Sequence, residues 1–276
     1  MKIGVTGSSG FMGSHLCDFI SGTEDTAVAV TRGSPLPECE TLVHIAGLAH
    51  QRASRAALMK ANFDFTLRLA DEARRLSVRR LVFVSSINVV AGHKRQPLTS
   101  KMTYSPTTDY GESKAAAERA LLGLSGIEVV ILRPPLVYGP GAKGSLATLM
   151  RACATGAPLP FSLIENQRSM VGITNVCSAI HFLCMAHTRQ KIFHVKDAEY
   201  SLSGLIAECR EAMDMPPRMF GVPTTILRSC LHALKKSDLA SQLLDDLVVE
   251  DTPLREVGWQ PTYAGDMKEM GREAFF

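Results

Sequence analysis

A short apolar run, Lys2–Thr6, passes directly into Gly7-Ser8-Ser9-Gly10-Phe11-Met12-Gly13 and then into a stretch with helical spacing, Phe11–Ser21. No other feature limits the fold as strongly. Glycines in such a turn let the backbone bend sharply and approach a ligand closely. The helix that follows offers unpaired N–H groups and positive potential to a pyrophosphate. The order strand, turn, helix is the context a dinucleotide-binding unit requires, although the spacing is GxxGxxG and not GxGxxG.

The same alternation continues. Further strand candidates cover residues 27–31, 41–46, 81–85 and 129–133, each a short apolar run with little polar alternation. Strands buried on both faces of a parallel sheet have that texture. Helical stretches fall between them at 53–76 and 113–124. After Arg133 the chain is rich in Pro and Gly to residue 145. A helix at 146–157, a strand at 170–173, a helix reaching residue 185 and a strand at 191–195 follow. From Ser201 the pattern is mostly helical, broken by Pro216, Pro217 and Pro223. The expectation is an α/β fold: a Rossmann-type doubly wound parallel sheet with a smaller, mostly helical substrate lobe. The boundaries drawn are 1–139 plus 169–198 for the dinucleotide-binding domain, and 140–168 plus 199–276 for the lobe.

The chain has 276 residues, 46% of them hydrophobic, so a sizeable core forms without disulfides or metals. Thirty basic residues against 27 acidic ones leave a net charge of +3, which is no nucleic-acid footprint. Seven scattered cysteines without a CxxC pair indicate a reducing compartment. The first residues form no signal-peptide core, and no apolar run approaches the ~18 residues of a membrane span. These readings lead us to expect a cytoplasmic protein with no membrane and no nucleic-acid partner. His44 and His50, six residues apart without Cys or acidic companions, make no metal site.

The second strand ends in Thr31-Arg32-Gly33, where dinucleotide folds usually carry an acidic residue for the adenosine ribose. A carboxylate repels a 2′-phosphate, whereas an arginine pairs with it, so NADP is favoured over NAD. An exposed loop cation, or an arginine stacked on adenine without selecting, is the alternative. Tyr110-Gly111-Glu112-Ser113-Lys114 puts a phenol and an ammonium on one helical face. A free tyrosine titrates near pH 10, and a neighbouring cation favours its phenolate. Ser86, following the 81–85 strand, supplies a second hydroxyl to hold a substrate oxygen.

With these residues in place, the chain resembles the extended short-chain dehydrogenase/reductase superfamily, in its nucleotide-sugar epimerase/dehydratase branch. Thr6-Gly7-Ser8-Ser9-Gly10-Phe11-Met12-Gly13 is similar to the family's TGxxGFxG, and Val43-His44-Ile45-Ala46-Gly47 to its VxHLAA strand. Asn62-Phe63-Asp64-Phe65-Thr66 resembles N-V-x-G-T, with Phe65 in place of the usual small residue. The 132–141 segment is similar to LRPxxVYGPG and residues 257–261 to LGWxP.

That resemblance implies roles. Tyr110 would be the general acid/base. Lys114 would bind the nicotinamide ribose and lower the Tyr110 pKa, and Ser86 would bind the reacting oxygen. Gly7, Ser9, Gly10, Phe11, Met12, Gly13, Arg32, Ala46, Gly47, Pro134 and Val137, together with Tyr110 and Lys114, would contact the cofactor. Arg168 would hold a nucleotide-sugar diphosphate, with Ser86 and Asn88 on the substrate. A homodimer is implied by the family alone.

Family 4,6-dehydratases follow the catalytic hydroxyl with an Asp-Glu pair, and here Ile87 and Asn88 stand there. Family 4-epimerases usually carry the acidic residue after the second strand and Arg-Asp-Tyr where this chain has Arg168-Ser169-Met170. The pattern is closer to 4-reductases of UDP-4-keto-6-deoxy-N-acetylhexosamines, with residues 44–50 and 243–249 contributing. Hydride transfer to C4 of a UDP-sugar in surface polysaccharide biosynthesis is the favoured reading. A UDP-hexose 4-epimerase is the alternative, and a non-catalytic NADP-sensing regulator a second one, although such regulators typically lose the Tyr or the Lys.

One departure is visible in the length. The family places a strand–helix unit before the VxHLAA strand, but only residues 33–40 separate Arg32 from Thr41. A parallel crossover needs about a dozen residues or more. The sheet should lack one edge strand, leaving the adenine side open.

Overall fold

Val- and Leu-rich segments flanked by glycine turns and amphipathic runs have one economical solution, a sheet covered on both faces. The computed structural model describes residues 1–49, 53–93, 97–142 and 144–262. In chain order the first half contains β1 (Lys2–Thr6), α1 (Phe11–Ser21), β2 (Thr26–Val30), β3 (Thr41–His44), α2 (Arg55–Met59), α3 (Phe65–Arg75), β4 (Arg80–Val84), α4 (Asp109–Leu122) and β5 (Glu128–Arg133). The second half contains β6 (Leu136–Tyr138), α5 (Ser145–Ala154), β7 (Arg168–Gly172), α6 (Ile173–Met185), β8 (Ile192–His194), β9 (Ala198–Tyr200), α7 (Leu202–Glu211), α8 (Thr224–Ala233), α9 (Ser237–Leu244) and α10 (Thr252–Glu256).

Six strands form one sheet in the order β2-β1-β3-β4-β5-β8, and every neighbouring pair is parallel. Alternate residues of the same strands feed two cores. Ile3, Val5, Val43, Val82, Val84 and Leu132 pack with Leu16, Ile20, Val176 and Ile180 of α1 and α6. Leu42, Leu81, Phe83, Val129 and Ile131 pack with Leu69, Ala73, Ala117 and Leu121 of α3 and α4. Each fully buried Val or Leu of this kind contributes about 1.5–3 kcal/mol relative to an exposed one. Trp259, 2% exposed, returns to the first core beside Leu254 and donates from its indole nitrogen to Ser178 Oγ at 3.3 Å.

β2 forms one edge of this sheet. Residues 31–40 run from it to β3 with neither helix nor strand, as the shortened sequence requires. Leu36 and Cys39 of this strap are buried in the second core, and the Leu36 N–H donates to Glu72 Oε1 of α3 at 2.8 Å. The doubly wound parallel sheet is therefore present, trimmed at one side.

A second sheet joins β6, β7 and β9, with β9 antiparallel to β7. The sequence predicts the strand at 170–173, where β7 lies, but neither β6 nor β9, and so no second sheet. β6, set between Pro135 and Gly139, and β9 have three residues each, too few to show a period. Beside it α5, α7 and α9 enclose a third core around Tyr138, Met150, Met170 and Ile206.

The expected 53–76 helix is divided. Between α2 and α3 the backbone makes a π-helical turn, Lys60–Asp64, whose extra residue carries Asn62 into the interior. The expected 113–124 helix begins four residues earlier, at Asp109, where Thr108 Oγ1 accepts from the Gly111 N–H at 3.1 Å. Tyr110 therefore lies in the first turn of α4.

Candidate functional site

The candidate catalytic and cofactor-binding residues, except Val137, lie at or just beyond the carboxyl ends of β1 to β5 or on α4. In open α/β sheets that edge is where ligands bind. The glycine turn is sterically committed to its shape. Gly7 has φ +70°, and its Cβ, if present, would meet the Ala46 nitrogen at 3.0 Å. At Gly13 a Cβ would sit 2.0 Å from the Gly7 carbonyl oxygen. Gly10 donates to the same oxygen at 2.9 Å and begins α1 with no side-chain cap, leaving the first N–H groups of the helix without a side-chain acceptor. Ser9 and Gly10 are exposed, with Phe11 and Met12 half-buried beside them. A dinucleotide pyrophosphate fits this cradle, because side chains are absent where its backbone must approach.

Below the turn runs a directional set of buried hydrogen bonds. Thr6 Oγ1 accepts from the N–H groups of Ile45 and Ala46, each at 3.1 Å, so its proton points to His44 Nδ1 at 2.7 Å. Thr66 donates to the Asn62 carbonyl at 2.7 Å and therefore accepts from His44 Nε2 at 2.8 Å. This fixes His44 as the neutral Nε2–H tautomer. Burial, with Lys114 nearby, lowers its pKa to about 3. Asn62 Oδ1 accepts from the Leu48 N–H at 2.8 Å. Its amide donates to the Leu48 carbonyl and to Ser113 Oγ, each at 2.9 Å. Ser113 passes on to the Tyr110 carbonyl at 2.8 Å. Gly47 lies against this group, where a Cβ would meet Asn62 Oδ1 at 2.7 Å.

Ser86 caps the short turn Ile87–Val89 by accepting from the Asn88 N–H at 3.2 Å. Its hydroxyl acts on the Tyr110 phenol, where it favours the charged form. Burial pushes the Tyr110 phenol up to about 12, and Ser86 works against that rise. The sequence reading expected Lys114 to lower this value; here desolvation dominates and the phenol is protonated. The Lys114 ammonium, 3% exposed, donates to the Val84 carbonyl at 3.0 Å and lies 4.6 Å from the Phe83 ring centroid. Burial lowers its pKa to about 8, and Glu118 opposes the fall. Gly111 permits the close packing of α4 on the Ser86 turn, since a Cβ there would be 2.7 Å from the Asn88 carbonyl oxygen.

Pro134 follows β5 and accepts from the Ile87 N–H at 3.0 Å, and Val137 is half-buried in β6. Arg32 is exposed after β2. Arg168 stands apart from the Tyr110 group, at the start of β7. Its Nη1 donates to the Asp245 carbonyl at 2.7 Å, burial lowers its pKa, and Asp245 and Asp246 oppose that. Asp245, Asp246, Asn166, Glu165 and His93 border an adjoining cleft of about 480 Å³.

Sequence reasoning gave no role to Asn62, Ser113, Glu118 or Arg133. Glu118 and Arg133, both buried, form a paired-oxygen ion pair at 2.6 Å behind Lys114. A carboxylate four residues beyond Lys114 on the same helix was the available signal. His50 lies outside the described residues. Among those described, no group of three or more His, Cys, Asp or Glu could hold a metal, and no helix is long and apolar enough to cross a membrane.

A family model described as "NAD dependent epimerase/dehydratase family" matches residues 35–195. A Vibrio cholerae protein named UDP-glucose 4-epimerase is 32% identical over 295 aligned residues, covering 93% of this chain and 90% of its own. The UDP-glucose 4-epimerase of Thermotoga maritima, solved with UDP-glucose, superposes with a TM-score of 0.78 at 20% identity, covering 100% of this chain and 98% of that one. A human epimerase family protein solved with NADPH reaches 0.81 at 15% identity, over 99% of both chains. At these identities the two structures attest the fold.

Proposed function

The chain belongs to the NAD-dependent epimerase/dehydratase family, and we propose that within it the protein is an NAD(P)-dependent enzyme acting at C4 of a UDP-sugar, as a 4-ketoreductase of a UDP-4-keto-6-deoxy-hexosamine. The observation that carries this reading is the placement of Tyr110 in the first turn of α4, one helical turn before the buried Lys114 that bonds the Val84 carbonyl at the end of β4, with Ser86 two residues beyond that strand end.

A nicotinamide dinucleotide supplies the hydride when bound. Gly7, Ser9, Gly10, Phe11, Met12 and Gly13 would hold its pyrophosphate, Arg32 a 2′-phosphate, and Ala46, Gly47, Pro134 and Val137 the remainder. The presence of Arg32 where an acidic residue usually stands supports NADPH over NADH. As C4 gains hydride, its carbonyl oxygen becomes an alkoxide. Ser86 orients that oxygen, Tyr110 gives it a proton, and the phenolate is left beside the Lys114 ammonium. Water returns the proton at the end of the cycle. Asn88 and Arg168 would hold substrate, Arg168 through its diphosphate. The residues after Ser86 are Ile87 and Asn88, neither an acid, which speaks against dehydration.

The boundaries 1–139 plus 169–198 and 140–168 plus 199–276, a homodimer and a cytoplasmic location belong to the same proposal. The second reading, a UDP-hexose 4-epimerase, is favoured by the Vibrio cholerae relative. One assay separates them. Incubation with UDP-4-keto-6-deoxy-N-acetylhexosamine and NADPH, read at 340 nm and by NMR of the product, should give stoichiometric cofactor oxidation and a 4-hydroxy sugar. Interconversion of UDP-glucose and UDP-galactose without cofactor consumption would establish the epimerase instead. NADPH binding with neither reaction would point to a sensor.

A further inference from the structure

The open side of the sheet holds an arrangement that the catalytic reading does not use. The Arg32 guanidinium carbon lies 5.5 Å from the centroid of the Phe65 ring. Phe65 in turn meets the His44 ring edge-on, with centroids 5.6 Å apart. His44 is fixed at both nitrogens by Thr6 and Thr66, and Thr6 is the residue immediately before Gly7. A stack thus climbs from beneath the glycine turn, through one half-buried ring, to an exposed cation at the end of β2. The backbone carrying that cation is short and anchored, because Leu36 is buried and its N–H is held by Glu72. Among the described residues no carboxylate pairs with Arg32.

A guanidinium lying on a ring keeps its N–H edge free, and the ring limits where that edge points. The sequence that shortens the chain after Arg32 also places a bulky ring at residue 65. We propose that Phe65 is a specificity-determining residue for the adenosine end of the cofactor. It holds the Arg32 guanidinium where its N–H edge takes a 2′-phosphate, in place of the wall that another strand and helix would form. This rests on the reading that the site takes NADPH.

The test is equilibrium binding of NADPH and NADH, followed by cofactor fluorescence, to the full chain and to Arg32→Ala, Phe65→Leu and Phe65→Tyr, with thermal melts for each. The wild type should prefer NADPH, and Arg32→Ala should abolish the preference. Phe65→Leu keeps apolar bulk but has no π face. It should weaken NADPH by about three- to fivefold and NADH by less than about twofold. Phe65→Tyr, which restores the face, should recover NADPH binding. A wild type that prefers NADPH, with Phe65→Leu keeping that preference or losing both cofactors equally, overturns the role of Phe65 alone. A wild type without preference overturns the NADPH reading, and this inference with it.

Discussion

At the level of single residues, Tyr110 and Lys114 divide the work through their surroundings. Burial keeps the phenol protonated and pulls the ammonium down to about 8. Tyr110→Phe should therefore lower turnover by at least about 10²-fold while cofactor affinity changes little, as separate kinetic and binding measurements will read. Lys114 has a folded pKa below its ordinary 10.5, so it loses its charge as pH rises through about 8. Turnover should then fall by about tenfold per pH unit above that value, and a profile flat to pH 10 would contradict the role given to the ammonium. Tyr110, Lys114, Ser86 and the glycines could be read from the sequence because their chemistry depends on short local spacing. Asn62 could not be given a role, since its partners Leu48 and Ser113 lie 14 and 51 residues away and meet it only after folding.

Helices and strands followed the same division between local and distant causes. Long apolar periods placed β1, α1, β3, β4 and β5 to within a few residues. The π turn escaped because a helical period tolerates one inserted residue, and what holds the insertion is tertiary. Asn62 joins the Leu48 backbone to α4 through three hydrogen bonds. Asn62→Ala removes them and leaves buried polar groups without partners, costing about 2–4 kcal/mol. The melting temperature should fall by about 5–10 °C, and circular dichroism should show whether the Lys60–Asp64 turn relaxes to α-helix. The start of α4 was misplaced for a different reason. Thr108 and Asp109 form a good N-terminus, but Pro106 and the polar residues around it read equally well as loop.

For the molecule as a whole, chain length proved informative. The missing strand–helix unit was located from eight residues, and the sheet indeed ends at β2. The lobe was less legible, because β6, β7 and β9 pair residues up to 34 positions apart, as Leu136 does with Met170. Acid response is also a property of the whole. His44 and His194 are fully buried, and burial lowers each pKa to about 3 from the ordinary 6.5. Between those values the unfolded chain binds two protons that the native state refuses, so stability falls as pH drops from about 6.5 towards 3. Each histidine contributes up to about 1.4 kcal/mol per pH unit. Urea titrations at pH 7 and 5 should show this decline, and His194→Gln should halve its slope.

Ending the sheet at β2 also changes what neighbouring molecules encounter. Thr26–Val30 pairs with β1 alone among the described residues, and its sequence, TAVAV, contains no charge. A strand of that kind has hydrogen-bonding groups along its outer side that a foreign strand can satisfy. Its five-residue length limits such docking, as do the exposed Glu24 at one end and Arg32 beyond the other. Ending the sheet at β2 therefore leaves along this rim a row of backbone groups to which a foreign strand can add.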